Sequence, residues 1–480
     1  MHSAASVSVQ IGYLCKLYYD FQFFYLFYHI FLCFSINHVI NVTTRFFCFH
    51  YCNEGKNMLK FRKEVLDMNA YKEIFRSADI LIPEDTESAD FSVYPVIACD
   101  QHTSEPEYWH QAEATVGNRP STLNMIIPEI YLDDAELRTP AIHANMLDYE
   151  ADYLYEHHDT VILCERTQRD GRVRQGVICA LDLECYDYKE GSTPYVRATE
   201  GTVISRIPPR VAVRRGATLE LPHVMLLIND PDCTVIEPEF TAKRNMHVVY
   251  DTDLMLDGGH ITGYEPSKRS SAFFLRRLNE LASNASDNSF TVAVGDGNHS
   301  LASAKAWYEE LKETIGEEEA ALHPARYALV EIVNIYSPAL DFEPIHRIVY
   351  GTDADALCAA ARKYISSLGC SDVRCLDIIA SGKRGKLPLP GNKTLVVASL
   401  TDFLDKLCGE NIALSVDYIH GEEALSRLSV CGAVGIFCDK IEKNELFDAV
   451  GKDGPLPRKT FSMGHAWDKR YYLEARRIAF

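Results

Sequence analysis

From about residue 68 the chain alternates short β-branched apolar runs with longer stretches of helical spacing, separated by polar or glycine-containing turns. Residues 91–99 read as a strand edged at Pro95, and a helix follows with Pro106 in its first turn. Residues 133–157 carry helical spacing at Leu137, Ile142, Met146, Leu147, Tyr149 and Leu154, with Pro140 as a candidate break. Residues 160–166 and 174–183 read as paired strands joined by the turn at 169–172. Pro208 and Pro209 mark a helix start. Further strands are expected at 222–228, 240–251, 258–264, 326–335, 342–350, 395–398 and 432–437. Helices are expected at 266–282, 353–368 and 421–428 and near Asn444. This alternation predicts an α/β (α+β) fold, with mixed sheets and flanking helices. At 480 residues the chain can form several lobes. We divide it into an N-terminal α/β lobe at 58–245, a central lobe at 246–350 and a C-terminal α/β lobe at 351–480.

The first 57 residues break this pattern. Residues 21–36 are dense in Phe and Tyr, but Asp20 bounds the run and His29 interrupts it. A spanning helix wants roughly twenty apolar residues. No charged leader region or small-residue cleavage site accompanies the run. Residues 53–58 can be encoded by a purine-rich stretch like a ribosome-binding site. That favours translated upstream DNA with a natural start at Met58 or Met68; a membrane anchor is the competing reading. From Met58 onward no membrane association is expected.

The net charge of -20 argues against a general nucleic-acid binder, which needs a positive surface. It leaves room for a small phosphorylated ligand, because a pocket needs only local positive potential. The 15 cysteines include no CxxC pair, and several, such as Cys164 and Cys179, lie inside apolar runs. They read as buried hydrophobes of a reducing compartment, so a cytoplasmic location is expected.

The strongest chemical signal lies at 291–305. A β-branched run enters Gly295-Asp296-Gly297-Asn298-His299-Ser300, and helical spacing follows at once. The first N–H groups of a helix lack intrahelical acceptors, and the helix dipole adds positive charge there, so such a turn suits an anion. Asp296 and His299 beside it could move a proton or hold a metal. The plain alternative is a helix cap, which Asp, Asn and Ser provide routinely.

Glu331 interrupts an apolar strand, and a buried carboxylate needs a partner or a cleft. His346 and Arg347 interrupt another strand in the same way. Alternation that turns these side chains to solvent competes with a shared cleft. An arginine-rich stretch at 196–215 stands out in so acidic a chain; there Arg197 and Glu200, flanking Gly201-Thr202, are the better pocket candidates.

The blocks at 96–109, 294–302, 328–334, 342–347 and 456–464 resemble, in order, the bacterial family known as domain of unknown function 1015. The resemblance runs from about Met68 to the end of the chain. Its turn is similar to the phosphate-binding turn of the ParB/sulfiredoxin-like superfamily, which includes free-serine kinases. In those a glutamate acts as base while the turn cradles phosphate. The resemblance implies a ParB/sulfiredoxin-like element, a nucleotide (ATP or ADP) with Mg²⁺, and a link to serine or phosphoserine. Related turns carry arginine at the position of Ser300, so the phosphate clamp must come from elsewhere, with Arg347 and Lys459 as candidates.

Together these readings give an expected phosphotransfer enzyme acting on a small hydroxylated metabolite. Asp296, His299 and Glu331 are the catalytic candidates, with Asp296 also a Mg²⁺ ligand. Gly297, Asn298, Ser300, His346, Arg347 and Lys459 would bind phosphate. Asp100, Glu105, Arg197 and Glu200 would face the substrate. A phosphometabolite sensor and a phosphate-ester hydrolase are the alternatives.

Overall fold

One mixed sheet and one antiparallel sheet carry the architecture. The computed structural model describes residues 71–84, 90–189, 191–286, 288–430 and 432–480. The expectations for residues 1–57 and for a start at Met58 or Met68 lie outside the described residues.

The larger sheet runs through His247–Asp253, His260–Glu265, Ile162–Thr167, Val173–Asp182, Tyr327–Asn334, Met225–Ile228, Val292–Asp296, Val196–Ala198 and Tyr186–Asp187, in that spatial order. Met225–Ile228 lies parallel to Tyr327–Asn334 and antiparallel to Val292–Asp296, which in turn is parallel to Val196–Ala198. The second sheet orders Lys383–Pro390, Val373–Ala380, Ala433–Ile436, Phe342–Tyr350 and Ser415–His420, with Phe461–Met463 beside the start of Phe342–Tyr350. This is the α+β class expected. Among the described residues no helix is long and apolar enough to cross a membrane.

The lobe boundary placed at residue 245 is not a break in hydrogen bonding. Strands from 162–228 and 247–334 interleave in one sheet, and the change of sheet falls between Asn334 and Phe342. Crossovers between distant strands leave no trace in local periodicity, so this interleaving is not visible in the sequence pattern.

Both faces of the larger sheet are covered near its middle. Along Met225–Ile228, Leu226 and Ile228 enter one apolar core while Met225 and Leu227 enter the other. Successive side chains point to opposite faces, so a strand buried on both reads as a continuous apolar run.

Several local expectations change, among them 240–251, where Glu237–Asn245 is a 3-10 helix and the strand is His247–Asp253. Residues 395–398 lie in or beside the helix Val396–Glu410, whose buried Val397, Leu400, Phe403 and Leu404 follow helical spacing. The helix Ala135–Asp152 contains Pro140 without ending there, and residues 154–157 belong to the strand Leu154–Thr160. Within 91–99, only Val96–Ile97 is strand.

Candidate functional site

The strand Val292–Asp296 delivers its carboxylate to a central place in the larger sheet. Asp296 sits opposite Met225, whose other neighbour is Glu331. Gly297 follows with φ +77°, and a Cβ there would stand 3.0 Å from the Val224 Cα, so both the backbone conformation and the close approach call for glycine. The helix Asn298–Ile315 begins at once. The Leu301 amide donates to the Gly297 carbonyl at 3.0 Å. The N–H groups of Asn298, His299 and Ser300 therefore precede the first intrahelical bond and are available to an anion.

Charged groups gather around this turn. Lys469 Nζ lies 3.3 Å from Asp296 Oδ2, and the Gly297 amide donates to Oδ1 at 3.0 Å. Glu200 sits on a segment bonded to residues around Leu456: the Leu456 amide donates to the Thr199 carbonyl at 2.7 Å. Burial pushes the Glu200 carboxyl up to about 7, with nearby Asp296 adding to the rise and Lys469 opposing it. Asp100 faces the same group. Burial raises its carboxyl, but His223, the Gln101 amide and Lys469 together hold it below the ordinary carboxylate range.

His299 Nε2 accepts from the Val203 amide at 3.2 Å. An Nε2 that accepts leaves Nδ1 as the protonated nitrogen. Burial, reinforced by Arg210 and Arg206, pushes the imidazole down to about 4, so it is neutral at pH 7. Ser300 Oγ lies 3.1 Å from His223 Nε2. Among the described residues, the buried Asn298 Oδ1 and Thr202 Oγ1 have no hydrogen-bond partner.

The turn thus brings together Asp100, Glu200, Asp296, Gly297, Asn298, His299 and Ser300. The other candidates have different settings. Glu331 is 1% exposed and bonded to Arg470 at 2.9 Å and Arg174 at 3.2 Å. Its carboxyl feels burial upward, but the two guanidiniums hold it below the ordinary range. It is occupied as the centre of a buried ion network rather than facing a cleft. His346 and Arg347 lie in the second sheet, where His346 Nδ1 accepts from the Cys438 amide and Arg347 donates to the Ile345 and Lys459 carbonyls. The Lys459 ammonium stacks over Tyr418, as does the Arg347 guanidinium. Lys459 reaches the site through its backbone, whose N–H bonds to Glu200. Arg197 packs over Phe290 and donates to the Pro194 and Ser286 carbonyls. Glu105 is exposed and pairs with His102.

The positive charge near the turn comes instead from Lys469, Arg206, Arg210 and Arg458. Arg206 and Arg210 were visible as an arginine-rich stretch. Lys469, His223 and Tyr472 carry no motif and are recruited by the fold alone.

Among the described residues the turn assembles no three-donor metal cluster around Asp296. Both Asp296 oxygens are engaged, one by Lys469. Among the described residues, the three-donor cluster whose ligand atoms lie within 4.8 Å of one another is Asp79, Glu156 and His158, which does not include Asp296.

No curated protein matches the chain in sequence. Solved structures with partial likeness include a free serine kinase variant in complex with ADP, at 9% identity and TM-score 0.33, covering 63% of this chain and 92% of that one. A conserved hypothetical protein from Pyrococcus furiosus gives 10% identity and TM-score 0.29 over 63% and 95%. C-terminally truncated SbnI from Staphylococcus aureus gives 9% and 0.30 over 60% and 82%. In sequence, residues 85–476 match the family described as "Protein of unknown function (DUF1015)". The chain belongs to this family.

Proposed function

We propose that the turn is the phosphate site of a phosphotransfer enzyme acting on a small hydroxylated metabolite. One observation carries the reading: the N–H groups of Asn298, His299 and Ser300 open a helix beside Lys469, close enough to Arg206 and Arg458 for their charge to be felt at His299, with the half-buried Glu200 nearby. In a chain of net charge -20, this is the local positive potential an anion requires.

Phosphoryl transfer depends mainly on positioning and charge neutralisation. The amides of Asn298, His299 and Ser300 hold phosphate oxygens, and Lys469 and the arginines offset their charge. Neutral His299 donates through Nδ1–H. Glu200, close to half-ionised at neutral pH, takes the proton of the acceptor hydroxyl as its oxygen bonds to phosphorus. Asp296 orients Lys469. A nucleotide is the proposed donor: its terminal phosphoanhydride P–O bond breaks as the acceptor O–P bond forms, and the nucleotide shortened by one phosphoryl group leaves with the electron pair. Mg²⁺ would arrive with the donor's phosphates, and no step depends on a metal cage built by the protein.

The test is a melting-temperature screen with inorganic phosphate and nucleotides, followed by ³¹P NMR for turnover with hydroxylated acceptors. A phosphate-induced rise lost in Lys469→Met, and turnover lost in Glu200→Gln, are expected. Stabilisation without turnover on any donor and acceptor would replace the enzyme by a phosphometabolite sensor. Release of inorganic phosphate alone would make water the acceptor.

A further inference from the structure

Behind the first turn of the Asn298–Ile315 helix lies a cavity of about 170 Å³. Much of its wall is apolar, from Met125, Ile127, Met146, Val213, Leu301 and Leu329. Its two arginines each meet a carboxylate, Arg214 at Glu220, which also binds Arg476, and Arg210 at Glu129. Ser300, His223 and Tyr472 also line it, so the cavity shares Ser300 with the anion-facing turn.

Those three polar side chains have a defined hydrogen-bond order. His223 is 5% exposed and Tyr472 2%. The Cys99 amide donates to the Tyr472 phenol oxygen at 3.3 Å, and that oxygen lies 2.6 Å from His223 Nδ1. The phenol oxygen keeps a second lone pair beside the one the amide takes; it is the Asp100 carboxylate, 3.8 Å from Nε2, that favours a proton there and leaves Nδ1 to accept from the phenol. The imidazole proton therefore sits on Nε2, which faces Ser300 Oγ at 3.1 Å and Asp100 Oδ2 at 3.8 Å. Ser300 accepts from Nε2–H and keeps its own proton to donate.

A neutral oxygen able to accept from Ser300 suits this end of the cavity, and a hydrocarbon body suits the rest. We propose that the cavity is the acceptor subsite, and that it takes a compact, uncharged alcohol with an apolar body. A cavity of about 150 Å³ lined by apolar side chains holds benzene, so a body of about six or seven carbons fills this one. Free serine would leave the apolar wall unfilled and bring an ammonium and a carboxylate to a wall whose charges are already paired. The acceptor role rests on the phosphotransfer reading of the turn; the alcohol pocket does not.

The full chain is titrated with benzyl alcohol, toluene and L-serine by saturation-transfer NMR, and separately with inorganic phosphate by melting temperature. Ala304 lines the cavity, and Ala304→Met fills it; Val213→Phe fills it from another helix and serves if the first variant does not fold. Benzyl alcohol is expected to bind at least tenfold more tightly than toluene or L-serine. Its affinity falls at least tenfold in either filled variant, while the phosphate response persists. Equal binding of toluene, tighter binding of L-serine, or unchanged affinity in a folded filled variant overturns the pocket assignment. Benzyl alcohol bound as expected, with no phosphate response in the wild type, overturns the acceptor role and the phosphotransfer reading together while the pocket stands.

Discussion

Replacing Glu331 by Gln removes one charge from a buried network whose composition is known. Arg166, Arg174 and Arg470 are its cations, and Glu331 and Glu474 its anions; all five are nearly inaccessible to water. The cluster carries one excess positive charge, and Glu331→Gln raises that to two. Each lost interaction, at 2.9 and 3.2 Å between heavy atoms, is worth about 5–6 kcal/mol at an effective dielectric of 20. The desolvation that the carboxylate no longer suffers offsets part of this. Breaking a buried pair from one side costs about 3–5 kcal/mol, and that is the loss we expect. Urea unfolding measures it as the shift in midpoint multiplied by the slope. Tryptophan emission adds a local reading, because Arg166 donates to the Trp467 carbonyl at 2.6 Å and Arg174 to the Asp468 carbonyl at 2.7 Å. The sign with pH is fixed as well. The folded carboxyl is depressed, so its stabilisation is present above the ordinary glutamate value and is lost as pH falls through the folded one. Glu331→Gln should lack that acid-sensitive component. A loss under about 1 kcal/mol with unchanged Trp467 emission would refute the structural role and return Glu331 to the catalytic candidates.

Other substitutions address the turn itself. Glu200, pushed up to about 7 mainly by burial, contributes stability at acidic pH that is lost as pH rises from the ordinary glutamate value through 7; stability measured between pH 5 and 8 should decline in the wild type and stay flatter in Glu200→Gln. His299, pushed down to about 4 mainly by burial, contributes stability above the ordinary histidine value that is lost as pH falls towards 4; ¹⁵N NMR should find it neutral with its proton on Nδ1 at pH 6, and an imidazolium there would contradict the geometry. Lys469→Met removes a charge-assisted contact worth about 1.5–3 kcal/mol, so calorimetry should find phosphate binding weakened roughly ten- to hundredfold. Gly297→Ala forces a Cβ to 3.0 Å from the Val224 Cα at φ +77°, and should cost about 1–3 kcal/mol in urea unfolding.

The fold class and the turn were legible because both rest on local pattern. Strand, glycine and helix at 292–315 follow from β-branching, positive φ and helical spacing within one short segment. Glu331 was legible as anomalous but not as structural, since its partners Arg174 and Arg470 lie 157 and 139 residues away. In sequence, Arg347 and Lys459 are the cations that stand in for the arginine missing at Ser300. The ring of Tyr418 holds both side chains instead, and the cation nearest Asp296 belongs to Lys469, in a segment with no recognisable spacing. Local pattern identifies groups that need an explanation; only the three-dimensional pairing says what meets that need.

The buried arginines explain how an irregular segment can present Lys469 and Tyr472 with defined geometry. Between the short elements Ala466–Asp468 and Tyr471–Tyr472 the backbone has little ladder to satisfy it. Arg166 donates to the Trp467 and Lys469 carbonyls, and Arg174 to that of Asp468. Arg470, on the same segment, donates to the Pro222 carbonyl, next to His223. Side-chain guanidiniums thus replace the hydrogen bonds that regular structure would supply, and they do so on both sides of the Tyr472–His223 contact. Buried charge is a poor source of net stability compared with apolar packing. Its retention here matches a requirement for position: Lys469 must face Asp296, and Tyr472 must set the His223 proton. On this argument an apolar repacking of the whole network, Arg166, Arg174, Arg470, Glu331 and Glu474 together, would keep most of the protein's stability, since no charge is left buried without its partner. It would still lose the phosphate response, because nothing would fix the chain end against the turn.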